Sequence, residues 1–176
     1  MKSIILNFKF FAFGLIIFSI SACSGPQESG TDTTAEQATD EVGGVKKVGS
    51  VVDGYLKLKD ALVASDAEEA KEYAVATLGV VDAIAMPEVQ QSVKEIAATT
   101  DIEEQRKVFE HFTIHLYRDL KASDANKQIL YKQYCPMAFD NQGAYWLSAQ
   151  EEIRNPYFGD RMLKCGRVEE ELPVNN

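Results

Sequence analysis

The sequence has little positive charge and few of the residues on which enzyme chemistry usually depends. It carries 18 lysines and arginines against 27 aspartates and glutamates, a formal net charge of −9, with only two histidines and three cysteines. A surface this acidic argues against binding to nucleic acid and against charge-driven binding to anionic lipid. The chain also lacks a glycine-rich phosphate loop, a haem attachment site, a metalloprotease helix motif and a nucleophile elbow. We therefore expect a binding protein, not an enzyme.

Long hydrophobic runs are scarce, and the one present lies at the N-terminus. Lys2 and Lys9 precede an apolar run that ends in Ile20-Ser21-Ala22-Cys23. The run is marginal for a permanent anchor, which needs about 20 apolar residues, and the pattern is typical of a cleaved signal peptide. A cysteine straight after Ser-Ala resembles a bacterial lipobox, so we predict a lipoprotein signal peptide over residues 1–22 and lipidation of Cys23. An ordinary signal peptide that happens to end near a cysteine is the alternative.

The polar segment that follows predicts how the protein is held in the cell. Residues 23–44 are dominated by Ser, Thr, Gly, Glu, Gln and Asp. Such a segment cannot bury enough apolar surface to offset its ordering entropy, so it should be a flexible tether. The expected location is the cell envelope, on the periplasmic side of a bacterial membrane, with the outer membrane preferred. The lipid alone would then be the contact with the membrane.

The remaining residues, 45–172, suffice for one domain with a modest core. Apolar residues at helical spacing predict three helices, within about residues 48–63, 66–81 and 102–120, with a further turn or short helix over 90–97. From about residue 128 the chain is rich in Gly, Pro, Asn and aromatic residues. The predicted fold is therefore mainly α, a small helical bundle with an irregular, loop-rich aromatic C-terminal cap.

Four sulfur-bearing side chains stand in two short clusters of the cap: Cys135 with Met137, and Met162 with Cys165. Thiolate and thioether sulfur are soft ligands that favour Cu(I) and Ag(I) over Mg, Ca or Mn. His115 is a weaker candidate ligand, on the third predicted helix and four residues after His111. A Cys135–Cys165 disulfide is an equally supported alternative, since both cysteines are expected in an oxidising compartment. The two hypotheses are compatible as redox states of one site.

Several short segments of the cap also carry a family resemblance: Tyr134-Cys135-Pro136-Met137-Ala138, Gly143-Ala144-Tyr145-Trp146-Leu147-Ser148, Ile153-Arg154-Asn155-Pro156-Tyr157-Phe158-Gly159, and Met162 with Cys165-Gly166. Through them the chain resembles the domain-of-unknown-function family 3347, with a weaker likeness over the helices. That family occurs as small Bacteroidetes-type envelope lipoproteins and as an extension on periplasmic adaptors of copper and silver efflux pumps. The resemblance implies a helical-bundle domain and, as a partner, a heavy-metal efflux system.

Overall fold

The structure, a computed structural model, describes residues 41–42, 45–46, 49–82, 84–123 and 126–175. The predicted signal peptide over 1–22, the lipidation residue Cys23 and nearly all of the predicted tether lie outside these residues. Two residues of the predicted tether, Glu41–Val42, form a short strand β1 that pairs antiparallel with β2, Val45–Lys46. None of the helices in the described ranges combines the length and the apolar content that a membrane crossing requires.

The first two helices begin after N-cap residues of the types that are common at helix starts, serine and aspartate. Helix α1 spans Val51–Val63 and starts where the Ser50 hydroxyl accepts a hydrogen bond from the Asp53 backbone N–H. Helix α2 spans Ala67–Val81, and the Asp66 carboxylate accepts the backbone N–H of Glu69 at 2.9 Å. Both caps satisfy donors that the first turn of a helix leaves unpaired. The predicted start of the second helix is thereby confirmed.

The next two helices complete a bundle of four. Helix α3 spans Pro87–Ala97, with proline in the first turn, where its missing N–H is harmless. The short helix predicted over 90–97 is therefore a full element of the bundle. Helix α4 spans Ile102–Ser123, and Asp101 Oδ1 caps it by accepting two backbone N–H groups. Each helix packs on the next in sequence.

The cap is ordered by a small sheet, so the prediction of an irregular cap is wrong in this respect. Strands β3, Leu130–Cys135, β4, Ala144–Ser148, and β5, Arg167–Leu172, form an antiparallel sheet in the order β4-β3-β5. A four-residue turn, α5, Ala138–Asn141, joins the first two strands. Much of β4 is buried on both faces and β5 is mostly exposed, so neither shows the alternation that identifies a strand in a sequence. The mainly α class is nevertheless confirmed.

Bundle and cap share one hydrophobic core. Tyr55 of α1 stacks on Phe109 of α4 with ring centroids 4.9 Å apart. The ring of Tyr157 in the cap packs against the rings of Phe109 and of Trp146 in β4, with centroid distances of 6.0 and 6.1 Å. The Tyr55 hydroxyl also accepts the backbone N–H of Leu147 at 3.0 Å. The edge of β4 is thus covered by the bundle, and the sheet is held at a fixed place on the helices.

Candidate sulfur site

The sheet brings the two cysteines of the cap together. Cys135 is the last residue of β3, and Cys165 lies two residues before β5. Because Tyr134 pairs with Arg167 across these strands, the same register sets Cys135 opposite Gly166. Cys165 is then the diagonal neighbour of Cys135, and the two Sγ atoms lie 3.2 Å apart. Both are free thiols in the structure. Of the four sulfurs that were predicted to converge, the two thiols meet, and strand pairing is the cause.

Asn155 holds the loop that delivers Cys165. This side chain is fully buried, and its Nδ2 donates to the Cys165 carbonyl oxygen at 2.8 Å. Its backbone N–H donates to the carbonyl of Leu163, and its Oδ1 accepts the backbone N–H of Tyr157. The hydrogen bonds of Asn155 thus hold the two ends of the loop 155–165 together. The position of Cys165 is fixed before any sulfur–sulfur or sulfur–metal bond forms.

Gly166 lets this loop lie against the sheet. Its φ of 150° is a conformation that residues with a side chain rarely adopt. A Cβ at this position would lie 2.8 Å from Cη2 of Trp146, which is buried. Only glycine therefore fits between Cys165 and Arg167 at this distance from the indole ring.

The environment of Cys165 favours the protonated form of its thiol. Burial of Cys165 raises its pKa to about 11, and the hydrogen bond and charge of Cys135 act in the same direction. A thiol with so high a pKa is a poor nucleophile at neutral pH, since the thiolate is the reactive species. The high pKa therefore argues against Cys165 as a nucleophile at neutral pH, and binding a metal or forming a disulfide would likewise require this thiol to lose its proton.

Met137 and Met162 lie in a separate environment. Both line an open groove of about 420 Å³, together with Phe139, Tyr157 and Phe158, and neither cysteine lines it. The side chain of Met137 is 47% exposed, whereas Cys135, two residues earlier, is fully buried. The predicted sulfur set is thus divided into a buried thiol pair and a thioether pair at the surface.

The wall of this groove next to Met137 is a strained turn. Phe139, Asp140 and Asn141 of α5 have φ values of 50°, 55° and 69°, in the left-handed region. The cost relative to a right-handed conformation is roughly 1–2 kcal/mol for a residue such as Phe139 and smaller for Asp and Asn, which tolerate this region better. Backbone strain of this kind is concentrated at functional sites, where the surrounding structure maintains it.

His115, the fifth predicted ligand, is on another side of the molecule. Tyr117 on α4 donates a hydrogen bond to Glu170 of β5, so that face of α4 is turned to the sheet. His115, two residues earlier, points to nearly the opposite side of the helix. His115 there lies near Glu88 of α3. The pKa of the Glu88 carboxyl is lowered mainly by a hydrogen bond from the backbone N–H of Glu88 itself, then by the charge of Arg118, and slightly by His115. The structure does not place His115 with the sulfurs.

Within the described ranges, no group of three or more His, Cys, Asp or Glu side chains is positioned to hold one metal ion. A four-ligand zinc centre of the structural type therefore has no counterpart among these residues. The Cys135–Cys165 pair offers two soft ligands and is smaller than such a group, and the thioethers lie apart from it in the groove. Asn155 and Gly166 were missed as positioning residues. Their only sequence signal was that both stand in the segments that carry the family resemblance.

The comparisons with known proteins give one match. The profile of a protein family of unknown function, DUF3347, matches residues 51–128. The family inferred from the sequence is thus confirmed, but the match covers the four helices, whereas the motifs that suggested it lie in the cap. No curated protein and no solved structure matches the chain.

Proposed function

The chain carries a DUF3347 domain over residues 51–128, and from this premise we propose that it is an envelope lipoprotein that binds a soft heavy metal. The metal is Cu(I) or Ag(I), and the site is built on Cys135 and Cys165 with Met137 and Met162 as neighbouring thioethers. The protein acts in metal handling or efflux, with a heavy-metal efflux system as its partner. Its contact with the membrane is the lipid on Cys23, and no enzymatic activity is expected.

One observation carries the proposal: two thiols 30 residues apart in sequence stand 3.2 Å apart. Metal–thiolate bonds of about 2.3 Å place two sulfurs roughly 3.8–4.6 Å apart, depending on the angle at the metal. The pair therefore has to separate by roughly 0.6 Å or more, which a small rotation of the half-buried Cys165 side chain provides. Soft ligands in this arrangement favour Cu(I) and Ag(I) over hard cations.

The test is anaerobic titration of the reduced full-length chain, purified in detergent, with Cu(I) against a colorimetric chelator. We expect about one Cu(I) per chain, and loss of this binding in the double variant Cys135→Ser, Cys165→Ser. His115→Ala is the matched control and should bind as the parent does. Unchanged affinity in the double serine variant would retire the metal hypothesis.

The same sulfur separation supports a second candidate, a structural or protein-interaction domain with a Cys135–Cys165 disulfide. Closing this loop of about 30 residues would contribute about 3–4 kcal/mol on the chain-entropy model. A thiol count on the purified chain separates the two functions. Absence of free thiols, followed by no metal uptake after reduction, favours the disulfide.

A further inference from the structure

We propose that Met137 and Met162 form an entry site, at which a soft monovalent cation is captured before it passes to the buried cysteines. The inference rests on the proposed function and divides the four sulfurs by role. The thioethers determine how fast the cation enters, and the thiols determine how tightly it is held.

The division follows from accessibility. Cys135 is fully buried, while Met137 is among the exposed large hydrophobic side chains of the described residues. The groove that both methionines line opens to solvent, and the chain connects each of them directly to a cysteine. Met137 follows Cys135 by two residues, and the Met162 carbonyl accepts the backbone N–H of Cys165 at 3.0 Å. A cation in the groove is therefore next to both segments that carry the thiols.

The groove selects by softness and not by charge. Its lining contains the acidic Glu103 and Asp140 but also the basic Lys107 and Arg161. Arg161 pairs with Glu103 at 2.9 Å. Because the lining carries both positive and negative side chains, a cation gains little electrostatic attraction there. Capture therefore depends on the thioether sulfurs. This ligand type binds Cu(I) and Ag(I) and has little affinity for Mg or Ca.

The strained turn supports a role for the exposed position of Met137. Met137 is 47% exposed and so gains less packing energy than a buried methionine, yet the residues at positions 139–141, just after Ala138, are held in the left-handed region. Buried Ala138 anchors the turn, and its carbonyl accepts the backbone N–H of Gly143 at 3.0 Å. The turn therefore fixes Met137 on the groove.

The transfer step balances without an oxidant or reductant. The cation leaves the thioethers, which carry no proton, and binds the two cysteine sulfurs as thiolates. The two thiol protons pass to solvent, and the oxidation state of the metal does not change. The groove is then free to accept another cation.

The experiment measures the rate at which the reduced full-length chain in detergent takes Cu(I) from its bicinchoninate complex. Met137→Leu with Met162→Leu should slow the transfer at least tenfold and change the equilibrium affinity less than threefold. Leucine nearly conserves the volume of methionine, so the fold should be kept. Met86→Leu is the matched control, because Met86 lies on another part of the bundle, before α3, and should transfer Cu(I) at the parental rate.

Two results would overturn the entry site while leaving the metal function in place. One is a parental transfer rate in the double leucine variant, and the other is a loss of its equilibrium affinity equal to that caused by the double serine variant. If the double serine variant itself binds like the parent, the proposed function fails instead.

A second measurement applies if transfer is too fast to follow. With methyl-labelled methionine, Ag(I) added to the Cys135→Ser, Cys165→Ser chain should shift the Met137 and Met162 methyl resonances together and leave Met86 unshifted. Independent saturation of the two resonances, or no shift in either, contradicts a shared entry site.

Discussion

At the scale of single residues, the account depends on how firmly Cys165 is placed. Asn155 and Gly166 fix its backbone, and the neighbouring sulfur of Cys135 lies at 3.2 Å. Burial and this neighbour together hold the thiol in its protonated form. Its chemistry is thus set by its surroundings and not by a nearby base.

A first prediction concerns the reactivity of this thiol. At pH 8 only about a thousandth of a group with a pKa near 11 is thiolate, so Cys165 should react slowly with iodoacetamide. The rate should rise about tenfold per pH unit through pH 10, as followed by mass-spectrometric mapping of the modified cysteine in the folded chain. A profile that levels off near pH 8.5, as for an unperturbed thiol, would contradict the buried environment.

The sequence identifies the residue types of the site but not its geometry. The four sulfurs were predicted from their chemistry, their grouping into two short clusters and the family resemblance, and the two thiols meet because of a strand pairing that the sequence does not reveal. His115 was chosen because it lies next to apolar residues on its helix. Helical spacing does not say which side of α4 meets the cap, and the contact between Tyr117 and Glu170 decides it.

At the scale of elements, the turn between β3 and β4 has unfavourable positive φ angles at several non-glycine residues and packs tightly at its glycine. Asp140 is exposed and has a φ of 55°, whereas Gly143 has a φ of 81° and lies against the Tyr134 hydroxyl. A side chain is unfavourable at both positions, so removing one at position 140 and adding one at position 143 should have opposite effects on stability.

A second prediction follows for this turn. Asp140→Gly should raise the free energy of unfolding by up to about 1 kcal/mol, because glycine adopts a positive φ without the steric cost. Gly143→Ala should lower it by about 1 kcal/mol or more, because the new Cβ collides with Tyr134. Urea denaturation measures both. A loss of stability in the Asp140→Gly variant would show that the turn is not strained.

Helices were easier to predict than strands for a physical reason. Asp66 and Asp101 cap α2 and α4, as their sequence context indicates. A helix can also be recognised from apolar residues that recur every three or four positions, which is a local pattern. A strand such as β5, with three consecutive glutamates, is stabilised by its partner β3. In the sequence the run Glu169–Glu171 is typical of a solvated charged segment, and the pairing of Lys132 opposite Glu170 is what gives it a place in the sheet.

At the scale of the whole molecule, Arg106 joins the bundle to the cap. Its buried guanidinium donates to the carbonyl oxygens of Pro156 in the cap and Leu62 in α1, at 2.9 and 3.2 Å. It also pairs with Glu103 at 2.8 Å. The segment that matches the family ends at residue 128, but the hydrophobic core extends into the cap, and so does the hydrogen bonding of Arg106.

A third prediction is that Arg106→Ala destabilises bundle and cap together. The variant removes a donor from the carbonyls of Pro156 and Leu62, although the Leu62 oxygen keeps the Ser65 N–H. The free energy of unfolding should fall by about 2–4 kcal/mol. Arg118→Ala is the matched control on the same helix. Its pairs with Glu88 and Asp119 are exposed, so the stability should change little. Equal losses in the two variants, by urea denaturation, would contradict a linking role for Arg106.

The most direct test of the central claim is the X-ray absorption spectrum of the chain loaded with one equivalent of Cu(I) under reducing conditions. A shell of sulfur neighbours at about 2.3 Å is the predicted result, on the scale of metal–thiolate bonds, and its amplitude should fall in the Cys135→Ser, Cys165→Ser variant, in which only the thioethers remain. A first shell of nitrogen with imidazole scattering, or a spectrum that the double variant leaves unchanged, would show that copper binds elsewhere.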